Sequence, residues 1–319
     1  MTPSIVVVGA GPVGLVAATQ AAAAGASVIL LDERAEPGGQ LRYRVQPVVS
    51  ESGSNAERPD RLAEHLIDDA LAAEVRICTG TTVAGCFTGL ELLVVEEGVA
   101  SREVADAVIV ATGSTDLPYP FAGATLPGVF SARGLQILLN VYRVRPGRRF
   151  AIIGGASDAE ELAVDVLLAG GEVVWSGIAP APFLRAEGAD GVRSFAVGQD
   201  RYSVDVVAIA VGRQADPALA TMAGTPLAFS PELGGPIPLV DNALQSPVRG
   251  LFVAGEAAGV GSIAAVIAEA RLAGIAAAAS LGLASESDVA AVRVAGGPEL
   301  AWRLDRRRAL EAVVVQPYV

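Results

Sequence analysis

Six residues near the start of the chain, Gly9-Ala10-Gly11-Pro12-Val13-Gly14, have the spacing to receive a pyrophosphate. The apolar run Ile5 to Val8 ahead of them reads as a buried strand, and the Ala-rich run behind them as a helix. In such a turn the first glycine takes the tight bend and the second lets the backbone approach a ligand with no Cβ in the way. The third lets the helix pack on the strand, and the helix N-terminus turns its N–H groups and positive dipole toward the phosphates. The next strand, Val28 to Leu31, ends on Asp32, where a carboxylate can accept from ribose hydroxyls. A GxGxxG alone is common, but one that follows a strand, opens a helix and is answered by an acid predicts a dinucleotide site.

Composition removes several other chemistries. All basic residues except His65 are arginines, so no lysine is present to form a Schiff base. With one histidine and two cysteines, Cys78 and Cys86, the chain has no material for a zinc site, a His-based triad or its own iron–sulfur cluster. The cysteines lie in a strand-like stretch and read as core residues; His65 falls on an amphipathic helix and reads as surface. No metal site and no acid–base pair is expected, and no catalytic side chain is identified. A net charge of −12 argues against nucleic acid as a partner. The most apolar helical stretch, about Val260 to Leu283, carries Glu269 and Arg271 and contains glycines, so no transmembrane segment is expected. The N-terminus enters a strand without a basic leader, which points to a cytoplasmic protein.

The 319 residues suffice for two domains. Ala105 to Thr112 is a buried strand leading into Ala111-Thr112-Gly113, and Gly250 to Gly259 is another leading into Gly255-Glu256; both can return to the phosphate edge of the first sheet. Between them, Arg149 to Ile178 repeats the strand, glycine turn, helix and strand plan. The expectation is an α/β fold of two Rossmann-like dinucleotide-binding domains, the second inserted into the first. Residues 1–116 and 238–285 form the outer domain, 117–237 the insert, and 286–319 a helical tail. Pro47 to Pro59 reads as a surface loop.

These motifs, with PGGQL at Pro37 to Leu41 and VGRQADP at Val211 to Pro217, resemble the flavoprotein family with two dinucleotide-binding domains, the thioredoxin reductase-like group. The resemblance implies non-covalent FAD held by Gly9, Gly11, Pro12, Gly14, Asp32, Glu33 and Arg34. It adds Gly39, Gln40, Leu41, Val83, Ala111, Thr112 and Gly113, and, late in the chain, Gly255, Glu256, Ser262 and Ile263. Glu256 stands where the family carries Asp. Arg42 and Tyr43 come after PGGQL and are candidates either for flavin contact or for anchoring the loop.

The segment from Ala111 to Gly155 resembles more closely the FAD-binding α or A subunits of heteromeric amine and imino-acid dehydrogenases, the opine, proline, hydroxyproline and sarcosine oxidising enzymes and hydrogen cyanide synthase. That resemblance implies an electron-transfer subunit partnered by a larger glycine-oxidase-type flavoprotein that oxidises the amine. FMN, or a [2Fe–2S] cluster on a small subunit, would be contributed only through partner subunits.

The insert departs from relatives that use NAD(P)H. Ala156 replaces the second motif glycine, and the following strand ends on Ser176 and Gly177 with neither an acid nor an arginine cluster; Arg185 is the nearest basic residue. This disfavours NADPH, leaves NADH as a weaker alternative, and makes a scaffold or docking role the main expectation. The run Arg303, Arg306, Arg307 and Arg308 reads as a solvated helix face, with a docking patch as the alternative. The competing function is a stand-alone NAD(P)H-dependent reductase that passes electrons through FAD to a small acceptor or a ferredoxin-like protein.

Overall fold

The structure, a computed structural model, describes residues 2–49, 56–155 and 157–310. Contacts divide the chain into two units: Met1–Arg42, Pro47–Ser114 and Gln214–Val319 form the first, Tyr43–Gln46 and Thr115–Arg213 the second.

In the first unit, β1 (Ser4–Val8) leads through the glycine turn into α1 (Pro12–Ala23) and then β2 (Ser27–Leu31). The remaining elements used below are α2 (Pro59–Ala72), β3 (Arg76–Cys78), β4 (Ala107–Val110), β5 (Leu251–Val253), α3 (Ile263–Ser280), α4 (Glu286–Ala295) and α5 (Gly297–Arg308). The five strands form one parallel sheet in the order β5-β4-β1-β2-β3. Both faces of such a sheet are covered, which is why its central strands are continuous runs of Val and Ile rather than alternating ones. A three-stranded antiparallel sheet, Thr81–Phe87, Glu91–Glu96 and Val99–Val104, belongs to the same unit.

Helix α3 is long and apolar enough to cross a membrane by composition alone, but 78% of that window is buried in the protein. Its apolarity reflects packing against α1. A Cβ added at Gly274 would lie 2.4 Å from the Ala17 carbonyl oxygen, so the two helix backbones are nearly in contact, and only small residues permit this.

The second unit has a four-stranded parallel sheet ordered Val129–Ser131, Val206–Ile209, Arg149–Ile153, Glu172–Gly177. The helix Ser157–Leu168 and the antiparallel strands Leu184–Glu187, Ser194–Val197 and Asp200–Ser203 complete it. Phe150, Ile152 and Leu162 centre one apolar cluster; Ile153, Val207 and Phe195 centre another. The expected α/β architecture is present.

Three expectations about segment boundaries differ from what is observed. The chain returns to the first unit at Gln214, not residue 238. Leu219 and Ala220 are buried in the first core, and Thr112 Oγ1 donates to the Asp216 carbonyl (3.1 Å). The C-terminal helices are part of the first unit, with Leu300 and Leu304 in its core. Within the expected loop Pro47 to Pro59, Val48–Val49 pairs antiparallel with Ala56–Glu57; residues 50–55 lie outside the described set.

Asp165 is fully buried in the second unit. Its Oδ2 accepts from Gln136 Nε2 (2.8 Å), and the Asn140 amide also faces the carboxyl. Burial therefore pushes its pKa up, outweighing the amide hydrogen bonds. A raised folded-state pKa contributes stability that is complete below the unfolded value, about 3.9, and is lost as pH rises through the folded value. Urea midpoints measured from pH 4 upward should fall through that window for the native protein. Asp165→Asn should flatten this fall, and an unchanged profile would refute the assignment.

Candidate functional site

The glycine turn of the first unit is built under tight constraints. Gly9 has φ +103°, and a Cβ there would sit 2.5 Å from the Ala111 carbonyl oxygen; a Cβ on Gly14 would sit 1.7 Å from the Gly9 carbonyl oxygen. Both glycines are required by the protein's own packing. Gly11 is different. Its φ of −73° suits any residue, and an added Cβ would meet nothing nearer than Gly39 Cα at 3.9 Å. Gly11 is also the N-cap of α1 and caps with no side chain, Pro12 stands at the first turn, and that turn contains no acid. This leaves an open space in front of backbone N–H groups and a positive helix end, the environment an anionic pyrophosphate fits.

The other motif residues gather on this turn. Gly38 N donates to the Ala10 carbonyl (2.8 Å), and a Cβ on Gly39 would lie 2.7 Å from Gly11 Cα, so PGGQL wraps the glycine loop directly. Leu41 of that segment is fully buried and Gln40 half-buried. Ala111 N donates to the Val8 carbonyl (2.8 Å), and Gly113 takes the left-handed φ of +86° that starts the departure from the sheet. Gly255, at φ +69°, rests on α1: a Cβ there would come within 2.5 Å of Val13 Cγ2. Glu256 is buried, and its Oε2 accepts from Ser114 Oγ (2.7 Å). Ser262 caps α3, accepting from Ala265 N (3.2 Å) and donating to Glu299 Oε2 (2.7 Å); Ile263 is the first residue of that helix.

Asp32 has a structural duty in addition to any ribose contact. Its Oδ2 accepts from Ala10 N (2.6 Å) and its Oδ1 from Arg34 N (2.8 Å), so the carboxylate ties the end of β2 to the glycine loop. Glu33 and Arg34 are exposed beyond it. Val83 is half-buried on a strand whose first residue, Thr81, donates its N–H to the Asp32 carbonyl (2.8 Å). Arg42 Nε donates to the Pro37 carbonyl (2.7 Å), bracing the turn. Tyr43 is anchored in the second unit, where its carbonyl accepts from Asn140 Nδ2 (2.8 Å) and Arg133 lies over its ring. These contacts give Tyr43 an anchoring role within the second unit.

The reading of the arginine run is corrected. Arg306 and Arg308 are partly exposed, but Arg303 and Arg307 are 2% and 3% exposed and pair with Glu269, itself fully buried on α3. Burial opposes the charge on Glu269, yet Arg307 and Arg303 overcome it and hold the carboxyl below its usual range. The signal was available: Arg303 and Arg307 are one helical turn apart, on the same face as Leu300 and Leu304, and a lone Glu in an apolar helix requires a partner.

In the second unit, Gly154 repeats the part played by Gly9: a Cβ there would lie 2.1 Å from the Ala210 carbonyl oxygen. Ala156, expected to crowd a pyrophosphate, is outside the described residues. The helix beyond it differs from α1 at its start. The first turn of this helix, Ser157–Leu168, carries Asp158 and Glu160, which occupy the positive helix end with negative charge, and Asp158 pairs with Arg213 (3.5 Å). The strand Glu172–Gly177 ends without an acid, and Trp175 packs on Phe195 with ring centroids 5.3 Å apart. Arg185 is exposed on the strand Leu184–Glu187. Cys86 is fully buried, which pushes its thiol pKa up; Cys78 is half-buried. His65 is exposed and contacts Glu57 (2.7 Å).

Residues 3–190 match the pyridine nucleotide-disulphide oxidoreductase family. The chain belongs to that family. Among known proteins, the A subunit of opine oxidase from Agrobacterium tumefaciens (strain Ach5) is 27% identical over 88% of this chain and 66% of its own length. The alpha subunit of sarcosine oxidase from Corynebacterium sp. (strain P-1) is 33% identical over 53% of this chain and 19% of its own. The solved structure of L-proline dehydrogenase from P. horikoshii superposes with a TM-score of 0.78 at 24% identity, covering 97% of this chain and 59% of that one. This member of the pyridine nucleotide-disulphide oxidoreductase family thus spans just under two thirds of the opine oxidase chain it matches. The two parallel sheets, each with a glycine turn leading into a helix, agree with two Rossmann-like dinucleotide-binding domains.

The glycines separate fold from ligand. Gly14→Ala should destabilise the protein by ~3 kcal/mol or more, because backbone cannot yield by the required distance. Gly11→Ala should leave the stability of the flavin-free protein within about 1 kcal/mol, an ordinary N-cap effect, yet abolish flavin uptake. Urea unfolding and the flavin absorbance of the purified variants measure both. Full flavin content in Gly11→Ala would remove the ligand from this turn.

Proposed function

We propose that the first unit holds FAD without a covalent link, and that the chain is the electron-transfer subunit of a heteromeric dehydrogenase or oxidase acting on a secondary amine or imino acid. The observation that carries the cofactor half is the contrast at Gly11: its missing side chain answers no contact within the protein, unlike those of Gly9 and Gly14. In this reading the N-terminus of α1 takes the pyrophosphate, and Gly39, Gln40 and Leu41 border the flavin. Thr112, Gly113, Gly255, Glu256, Ser262 and Ile263 close the opposite side, with Asp32 and its neighbours Glu33 and Arg34, and Val83, at the adenosine end.

FAD when bound supplies a two-electron acceptor that also passes single electrons. The side chains described supply binding and orientation; none is placed to draw a proton from an amine. Relatives named for the A chain of opine oxidase, the alpha chain of sarcosine oxidase and the HcnB chain of hydrogen cyanide synthase support a role inside an assembly. A larger glycine-oxidase-type flavoprotein would then oxidise the opine, proline, hydroxyproline or sarcosine substrate and hand its electrons on. FMN or a [2Fe–2S] cluster would come with partner subunits.

The alternative, a reductase fed by NAD(P)H, is weakened by Asp158 and Glu160 at the start of the second unit's helix. Anaerobic stopped-flow mixing should show the flavin bleached slowly by NADPH and no more than weakly by NADH. Fast, saturable bleaching would move the protein into the reductase class. Expressed alone, the chain should not oxidise proline, hydroxyproline, sarcosine or opines with an artificial dye, whereas co-expression with the products of neighbouring genes should give a larger species that does. A monodisperse chain that ignores those products and turns over an amine unaided would overturn the assembly.

A further inference from the structure

Helix α3 is predominantly apolar and carries near its middle the partly buried Arg271 and a fully buried carboxylate, Glu269. The two arginines that neutralise it come from α5 and do more than that. Arg303 donates from Nε to Glu269 Oε1 (2.6 Å) and from Nη2 to Oε2 (3.1 Å). Its remaining capacity goes to the carbonyls of Val260 (Nη1, 2.9 Å) and Gly259 (Nη2, 2.6 Å), with a longer contact from Nη2 to Gly255 (3.4 Å). Arg307 donates from Nε and Nη2 to the Ala258 carbonyl (3.1 and 3.0 Å). Glu269 Oε2 also accepts from Gly255 N (3.0 Å). A Cβ on Gly261 would lie 2.3 Å from Arg303 Nη1, so the loop crosses directly over the guanidinium. Among the described residues, these polar bonds therefore end on the loop from Gly255 to Ser262 or within the cluster itself.

We propose that α5 is a latch linked to the cofactor: Arg303 and Arg307, through Glu269, position the Gly255–Ser262 loop, so that docking of α5 and binding of FAD reinforce one another. This rests on the reading that the loop contacts FAD. Two guanidinium groups against one carboxylate leave the cluster with a net positive charge. That charge has the same sign as the N-terminal end of α1, on whose first turn Gly255 rests. A charged cluster in a dry interior holds only while all members are present, so an undocked α5 leaves Glu269 unpaired and the loop carbonyls without donors. Coupling of this kind is reciprocal: a ligand that needs the ordered loop must stabilise the docked helix by the same factor by which docking improves its affinity.

The test compares hydrogen exchange of residues 297–308 in the purified protein with FAD and after its removal, with the second unit's helix Ser157–Leu168 as control. FAD titrations of the native protein, Arg303→Met and Arg303→Lys accompany it, each checked for secondary structure by circular dichroism. FAD should slow exchange in 297–308 at least tenfold beyond the change in the control helix. Arg303→Met should raise the Kd for FAD at least tenfold, and Arg303→Lys should restore part of the loss. A brace of purely structural use would leave exchange in 297–308 the same with and without FAD, and that result overturns the latch even if Arg303→Met fails to fold. An Arg303→Met protein that binds FAD as tightly as the native one overturns it as well. Native protein that takes up no FAD removes both the latch and the cofactor reading, whereas native binding with unchanged exchange removes the latch alone.

Discussion

The candidate site depends on the placement of α1, which is held by backbone contacts that admit no side chain. Gly14 lies against Gly9, Gly255 lies against Val13, and Gly274 lies against Ala17. Each contact fixes a different part of the helix: its approach to the sheet, its first turn, and its middle. A helix held in this way cannot drift when a ligand arrives, and a preformed anion site requires that rigidity, because a dipole that must reorient loses much of its advantage. The density of glycine and alanine in this chain is thus a consequence of layers packed backbone to backbone.

The two units show one plan carried to different ends. Both open with a glycine forced by an opposing carbonyl, Gly9 by Ala111 and Gly154 by Ala210. They diverge at the next helix. The first unit leaves its helix end uncapped by side chains and without acids, while the second fills its own with Asp158 and Glu160. The positive end of a helix can be satisfied by the protein's own acids or left without them, and the two units differ in this respect. The same strand, glycine turn and helix plan thus accommodates two different helix starts.

Much of this was legible beforehand because it rests on short-range rules. Glycine spacing, unbroken Val and Ile runs and the repeated strand, turn and helix plan are local, and they led to two nucleotide-type sheets and to most of the residues around Gly11. The features that escaped were non-local. Arg303 and Arg307 look like surface residues until α3 presents Glu269 to them, a partnership between positions 34 and 38 residues apart. The return at Gln214 was hidden because Leu219 and Ala220 are unremarkable in sequence and acquire meaning only by burial in the first core. Asp32 was assigned to a ligand from its position; its bond to Ala10 N arises from how closely the loop folds back over the strand end.

The contact between Gly255 and Val13 also has a meaning in time. The glycine turn, its helix and Asp32 lie within a few dozen consecutive residues, so this βαβ piece is local in sequence. Its closing elements, β5, α3 and the arginine helix, are translated only after the whole of the second unit. Pairings between such distant parts of a chain form slowly, since a long loop must close before any contact offsets it. A nucleotide gripped by both parts would therefore be held only once α3 and α5 have been made. Until then the apolar faces of α1 and β4 that pack against α3 are uncovered, and this interval is when the protein is most open to misassembly.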